Sequence, residues 1–137
     1  MTAKEYLSQF RNYEKRIARL NADISRLEEA ATNTAATLSG MPHNPSPSKS
    51  RMADMVDRIV DQQAALEEEK AQLELLRGEA TLLIAQIPDS DQRDVLAKRY
   101  LDGLPWENVI TEMGYERSVV YRKHKKALLS LQEFLPQ

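Results

Sequence analysis

The chain has 137 residues, of which 29% are charged and only 6% are aromatic. This balance, with four glycines in all, suits long solvated helices better than a compact α/β core, and it predicts an all-α protein. The sequence contains no cysteine, which excludes disulfides, thiolate metal sites and a cysteine nucleophile and favours a cytoplasmic setting.

The N-terminal sequence MTAKEYLSQFRNYEK has no apolar export signal, and no later stretch has the apolar length that a membrane span requires. We therefore expect a soluble, unexported protein without a membrane partner. The net charge of -2 argues against nucleic acid only if the charges are evenly spread. They are segregated, because residues 117–126 contain five basic side chains and no acidic one, whereas residues 67–69 are all acidic.

The first helical pattern runs from Tyr6 to Leu38, where apolar positions alternate by steps of four and three as far as Ala31 and the polar Thr34 precedes Leu38. Such spacing is typical of a heptad seam, with one narrow apolar stripe on an otherwise polar helix. The seam consists of Tyr6, Phe10, Tyr13, Ile17, Leu20, Ile24, Leu27, Ala31 and Leu38.

A connector is predicted at residues 39–50, since Gly40 is followed by Pro42, Pro45 and Pro47. Each proline removes a backbone donor and restricts the residue before it, so a helix is not expected to continue through this segment. Its Pro/Ser composition favours a mobile linker that reverses the chain direction.

A second heptad run follows the connector and matches the first in length. Its positions are Met52, Ile59, Leu66, Leu73, Ala80 and Ile87, with Met55, Val56, Leu76, Leu83 and Ile84 in companion positions. Residues 1–87 are therefore predicted to form a long antiparallel coiled-coil hairpin, in which Tyr6, Phe10 and Tyr13 meet Leu83, Ile84 and Ile87. A lone two-helix hairpin buries only one stripe per helix, so we expect it to form a homodimer through the coiled coil or to dock on another protein.

From Pro88 onward the pattern changes to short helices separated by helix breakers, with Asp89 or Ser90 as a cap. Helices are predicted at residues 90–101, 105–113 and 117–132, and residues 88–137 are predicted to form a separate three-helix domain. The last two helices have helix-turn-helix spacing, with Gly114 in the turn and Ser118 as a favourable cap at the start of the second helix.

Residues 87–131 resemble region four of bacterial sigma factors. Matching positions are Arg99, Tyr100, Leu101 and Gly103 at the end of one helix, Glu107, Val109, Ile110 and Gly114 in the next helix and turn, and Val120 in the recognition helix. Ile110 departs from the pattern, because sigma factors usually carry a small residue there.

Nearly the whole chain, with its Pro/Ser linker and the string RYLDGLPW, is also similar to a family of small phage and prophage proteins that are regarded as regulators of late transcription. This resemblance implies a regulator of late transcription that acts in the cytoplasm of a bacterial host cell, binds double-stranded DNA and contacts RNA polymerase.

In such a fold the N-terminal part of the recognition helix enters the major groove. The predicted DNA-binding residues are Arg117, Ser118, Tyr121, Arg122, Lys123, Lys125 and Lys126. Arg117 and Arg122 are the stronger candidates for base discrimination, because arginine can bind guanine bidentately, whereas Lys123 and Lys126 are expected to contact phosphate.

For the remaining aromatic and histidine side chains, a structural role is favoured over ligand binding or catalysis. Trp106 and Tyr100 could stack on single-stranded bases, but packing in the small helical core is the favoured use, and His124 is expected at the core edge. His43 has no second ligand near it in sequence, so no metal site is expected. We find no phosphate loop, HExxH motif or catalytic triad, and the sequence therefore predicts no enzyme and no cofactor.

Two functions remain open from the sequence. The first is a phage-type transcription regulator that binds duplex DNA through the helix-turn-helix. The alternative is a structural, adaptor or DNA-packaging protein in which the coiled coil is the working part and the helix-turn-helix only packs or binds protein.

Overall fold

The structure is a computed structural model that describes residues 1–39 and 47–136. These residues form five α-helices and no strand, which confirms the predicted all-α fold. The elements are α1 (Ala3–Ser39), α2 (Pro47–Ala85), α3 (Ser90–Leu96), a π-helical turn (Ala97–Leu101), α4 (Trp106–Met113) and α5 (Arg117–Gln132). The long helices α1 and α2 pack together as the predicted hairpin, and the short helices follow.

The chain divides into two compact units. One unit contains residues 14–71, the middle of the hairpin, and the other contains residues 1–13 and 72–137. That residues 88–137 fold as a separate domain stays a prediction.

In the unit of residues 14–71, α1 and α2 meet along the predicted seams, of which the Leu38 side chain lies outside the described part. Ile24, Ala31 and Leu66 are buried, and an ion pair joins the Arg16 Nε to a Glu69 carboxylate oxygen at 3.1 Å. The placement of Val56 on this seam is wrong, because its side chain is 45% exposed. Met55 and Ile59 are half-buried, whereas Val56 is exposed, because a single partner helix covers only a narrow arc of α2.

The second unit has a core to which α1, α2, α3, α4 and α5 all contribute. Its fully buried large side chains are Leu7, Ile87, Val95, Leu96, Val109, Val120 and Leu131. The predicted meeting of Tyr6 and Phe10 with Ile84 and Ile87 is confirmed. The heptad pattern missed Leu7, which is buried because the start of α1 is covered over a wider arc than one partner helix provides.

The start of the chain is fixed to the end of α5. The Ala3 backbone N–H donates to the Gln132 side-chain oxygen at 2.7 Å, and the Gln132 side-chain nitrogen donates to the Met1 carbonyl at 3.2 Å. Both contacts lie at the edge of the core that contains Ala3 and Leu131.

The connector predicted at residues 39–50 is shorter in the structure at both ends. Ser39 is the last residue of α1 and Pro47 the first of α2, while residues 40–46 lie outside the described part. A proline is well tolerated in a first helical turn, because the N–H that it lacks would have no partner within the helix. Pro47 therefore begins a helix rather than extending the linker.

The three predicted short helices are confirmed with small changes in their ends. The helix predicted at 90–101 is α-helical to Leu96 and continues as the π-helical turn, in which the Asp102 N–H donates to the Ala97 carbonyl at 2.8 Å. The Asp89 carboxylate accepts the Gln92 backbone N–H at 3.0 Å, so Asp89 is the cap of α3.

Candidate nucleic-acid interface

The turn between α4 and α5 has helix-turn-helix form. Gly114 has a left-handed backbone with φ of +74°, and its N–H donates to the Ile110 carbonyl at 3.1 Å. Residues 114–116 then lead to α5, and Val109 of α4 and Val120 of α5 are completely buried in one core. The buried face of α5 continues through Ala127 and Leu131, so its opposite face is left to solvent.

Ser118 is not the cap of α5, contrary to prediction. The helix begins at Arg117, and the extended Glu116 precedes it, with its carbonyl accepting the N–H groups of Val119 and Val120 at 3.0 and 3.1 Å. Because the turn reaches the extended conformation at Glu116, Ser118 is already inside the first helical turn. The Glu116 carboxylate makes no capping hydrogen bond, although its charge lies near the positive end of the helix dipole.

The outward face of α5 carries most of the predicted DNA-binding residues. Exposed side chains are Arg117, Ser118, Tyr121, Arg122, Lys125 and Lys126. The four cations Arg117, Arg122, Lys125 and Lys126 are called the basic face below. Within residues 1–39 and 47–136, none of these four side chains forms an ion pair, and the sequence places no acidic residue between Arg117 and Lys126.

Lys123 differs from the basic face because it is already paired. Its Nζ lies 3.0 Å from an Asp91 carboxylate oxygen and 4.9 Å from the centre of the Tyr115 ring, and the Tyr115 hydroxyl donates to the same carboxylate at 2.9 Å. These hydrogen bonds lower the pKa of Asp91 and raise the pKa values of Lys123 and Tyr115. Asp91 and Tyr115 were missed from the sequence, since no local spacing indicates that α3 meets α5 here.

A small groove lies between the start of α3 and the basic face. Its volume is about 180 Å³, and it is lined by Asp89, Gln92, Val119, Arg122, Lys123 and Lys126. Arg122 and Lys126 give one wall a positive charge. Asp89, which caps α3, and the amide of Gln92 form the other wall, so the groove is polar on both sides.

An aromatic cluster centred on Trp106 packs against the first half of α5. The Trp106 ring meets Tyr121 edge to face with centroids 5.3 Å apart, and it meets His124 at 4.7 Å. The Arg99 guanidinium lies 5.0 Å from the centre of the same indole ring, and the Tyr100 hydroxyl shares a 2.8 Å hydrogen bond with the His124 Nε2. The predicted packing roles of Trp106, Tyr100 and His124 are confirmed.

His124 is held in its neutral form by this environment. Burial of the ring, helped by the positive charges of Arg99 and Lys4, lowers the pKa of His124 to about 4. The imidazole is therefore uncharged at neutral pH and adds nothing to the positive charge of α5.

Neither a candidate metal-ion site nor a membrane-spanning helix is present among the described residues. Residues 1–39 and 47–136 contain no group of three or more His, Asp or Glu side chains that could hold a metal ion. None of the helices in these two stretches is long and apolar enough to cross a membrane.

Residues 47–132 match the protein family described as "Protein of unknown function (DUF1492)", and the match covers well over half of the chain. The chain belongs to this family. The DUF1492 region begins with the first residue of α2 and ends with the last residue of α5, so it includes the whole basic face. No curated protein and no solved structure matches the chain.

Proposed function

We propose that this DUF1492 protein binds duplex DNA by placing the N-terminal half of α5 in a major groove. The observation that carries the proposal is the basic face itself. Four cations lie exposed on the second helix of a helix-turn-helix, and none of them forms an ion pair with any residue that the structure describes, although the whole chain has a net charge of -2. An exposed stripe of cations that form no ion pair with the described carboxylates is the charge pattern that phosphate attraction requires.

The proposed roles differ along the helix. Arg117 and Arg122 are proposed to read bases, because a guanidinium can bind both acceptors of guanine. Lys126 is proposed to contact phosphate, which fixes the position of the helix without reading sequence, and Lys125 is proposed as a further contact to the bases. Lys123 is proposed as a weaker contributor, since Asp91 already neutralises it.

The biological role that we propose is regulation of late transcription in a phage-infected or prophage-carrying bacterial cell. This part rests on the resemblance to sigma-factor region four and to the phage family. In this proposal the hairpin of α1 and α2 mediates homodimerisation or contacts RNA polymerase.

The test is selection of bound duplexes from a random pool with the full-length protein at near-physiological salt. We expect a defined motif, and we expect Arg122→Ala to lose both affinity and preference at one position of it. Arg19→Ala is the matched control, because Arg19 is exposed on α1 and should leave binding unchanged. Recovery of no enriched sequence and no measurable duplex affinity would contradict the proposal.

The salt dependence of DNA affinity tests whether Lys123 and Lys126 contribute differently to phosphate binding. Each phosphate contact contributes a slope of about -0.9 to the plot of log affinity against log salt. Lys126→Ala is expected to make that slope shallower by about one contact, whereas Lys123→Ala is expected to change it less. Equal effects of the two substitutions would show that the Asp91 pairing does not persist on DNA.

A second candidate, a structural or adaptor protein, is favoured by one observation on α2. Val56 and Val60, four residues apart, are 45% and 57% exposed, and Leu75 and Leu82, seven residues apart, are 67% and 71% exposed, so each pair shares a face of α2. Exposed apolar side chains that share a helix face mark protein contacts more often than isolated ones do. Light scattering of the purified chain separates the candidates, since a ring of many subunits is expected only for an assembly protein.

A further inference from the structure

Tyr121 is the aromatic residue on the outward side of α5 near its start. The side chain is 40% exposed, and it lies one helical turn after Arg117 and one turn before Lys125. Residues four apart on a helix share a face, so the aromatic ring stands between two cations of the basic face. Among the described residues, no hydrogen bond is formed by the Tyr121 hydroxyl.

The ring is held in place although it is partly exposed. Trp106 meets it edge to face with a centroid distance of 5.3 Å and an interplanar angle of 79°. Trp106 is itself packed against His124 at 4.7 Å and the Arg99 guanidinium at 5.0 Å. A side chain that is fixed before binding loses little conformational entropy when it makes a contact. This ring is therefore suited to a contact with one defined group of a ligand.

We infer that Tyr121 is a specificity-determining residue that recognises thymine through van der Waals contact of its ring with the 5-methyl group. The inference rests on the proposed DNA binding and names the base that one side chain reads. The 5-methyl of thymine is the apolar group that base edges present in the major groove, whereas every other distinguishing group there is a hydrogen-bond donor or acceptor. The neighbouring arginine and lysine side chains can donate hydrogen bonds to the acceptors, and the rigid ring can make van der Waals contact with the methyl group.

Other aromatic or apolar groups of this region fit the role less well. Tyr115 is bound to Asp91 through its hydroxyl and lies against Lys123. Leu129 is 66% exposed, but it lies two turns beyond Tyr121 toward the C-terminal end of α5, away from the part that enters the groove.

The experiment uses the full-length protein and a duplex selected by it from a random pool. Each thymine of the selected site is replaced in turn by deoxyuridine, which removes only the 5-methyl group. At one or two positions we expect the affinity to fall roughly fourfold, the effect of losing one buried methyl. Tyr121→Ala should bind more weakly and show no difference between thymine and deoxyuridine at those positions.

Two variants serve as controls. Tyr121→Phe keeps the ring and removes the hydroxyl, so it should keep the sensitivity to deoxyuridine, whereas a hydroxyl contact would be lost. Leu129→Ala removes another exposed apolar side chain of α5 and should also keep the sensitivity.

The outcomes separate this inference from the proposed function. If no duplex is bound, the proposed function fails. If a duplex is bound but deoxyuridine lowers affinity nowhere, or lowers it equally for wild type and Tyr121→Ala, DNA binding stands and the role of Tyr121 is overturned. A loss of sensitivity in Tyr121→Phe would overturn the methyl contact in favour of the hydroxyl.

Discussion

Gly114 and Gly78 are two glycines with opposite structural demands. Gly114 has a left-handed backbone with φ of +74°, while Gly78 is inside the helix α2, and an added Cβ would meet no atom within 4 Å at either site. Any effect of alanine therefore comes from the backbone alone. A side chain is costly in the left-handed region, whereas in a helix alanine is favoured over glycine.

Alanine at the two sites is thus expected to change stability in opposite directions. Gly114→Ala should lower the free energy of unfolding by about 1–2 kcal/mol, and Gly78→Ala should raise it by up to about 1 kcal/mol. Urea unfolding of the two variants measures both changes. Gly114→Asn is the control, because asparagine tolerates this conformation better than alanine, and a cost equal to that of alanine would contradict the backbone argument.

His124 makes stability depend on pH. Its pKa is lowered from 6.5 to about 4 by burial, so the unfolded chain binds a proton more readily than the folded protein does between these values. The stabilisation is fully present above pH 6.5 and is lost as the pH falls toward 4. Because the ring is only partly buried, we expect a loss of about 1 kcal/mol after allowance for solvent screening.

The measurement compares the wild type with His124→Gln in urea at pH 7, 5.5 and 4.5. The difference between the two free energies of unfolding should shrink as the pH falls, since the variant has no imidazole to protonate. His43→Gln controls for the loss of a histidine as such and should follow the wild type. Parallel curves for wild type and His124→Gln would refute the assignment.

Most helix faces and helix ends could be predicted, because both depend on residues that are close together in the sequence. The heptad steps predicted the faces of α1 and α2, and Asp89, Pro105 and Gly114 marked the ends of α3 and α4 to within one residue or so. The start of α2 at Pro47 and the cap at Glu116 were mispredicted, because a proline or a serine fits more than one position at a helix start.

The two caps of the short helices differ in their side-chain contacts. The Asp89 carboxylate accepts the Gln92 N–H at 3.0 Å, whereas Glu116 makes no such bond. Asp89→Ala should therefore cost about 1 kcal/mol of stability, and Glu116→Ala only a few tenths. Thermal unfolding followed by circular dichroism tests this ranking, and an equal loss in both variants would mean that the Asp89 hydrogen bond does not stabilise α3.

For the molecule as a whole, the long-range contacts were the part that the sequence did not reveal. The outward position of six predicted DNA-binding residues follows from the spacing of Val120, Ala127 and Leu131, which a helical period specifies. The pairing of Lys123 with Asp91 requires α3 to pack against α5. No local pattern reports which charged residues such a crossing brings together.

The shared core predicts that residues 88–137 do not fold alone. Val95, Leu96 and Leu131 are buried in the same cluster as Leu7 and Ile87 of the hairpin ends. Cutting at residue 88 exposes those apolar faces, so we expect the fragment 88–137 to lack a cooperative thermal transition and to bind a dye for exposed apolar surface.

The matched control retains the hairpin ends. Residues 1–13 and 72–137 joined by a Gly/Ser linker in place of residues 14–71 keep the whole core of this unit, and this protein should unfold cooperatively. A cooperative transition in the fragment 88–137 would instead support the domain boundary predicted from the sequence.

The hydrogen bonds between the Gln132 side chain and the backbone of Met1 and Ala3 hold the start of the chain beside the end of α5. Ends that meet in this way allow the order of the helices along the polypeptide to be changed without moving them in space. A circular permutant that joins the ends through a short glycine bridge and opens between α1 and α2 would then begin with α2, run through α5 and finish with α1.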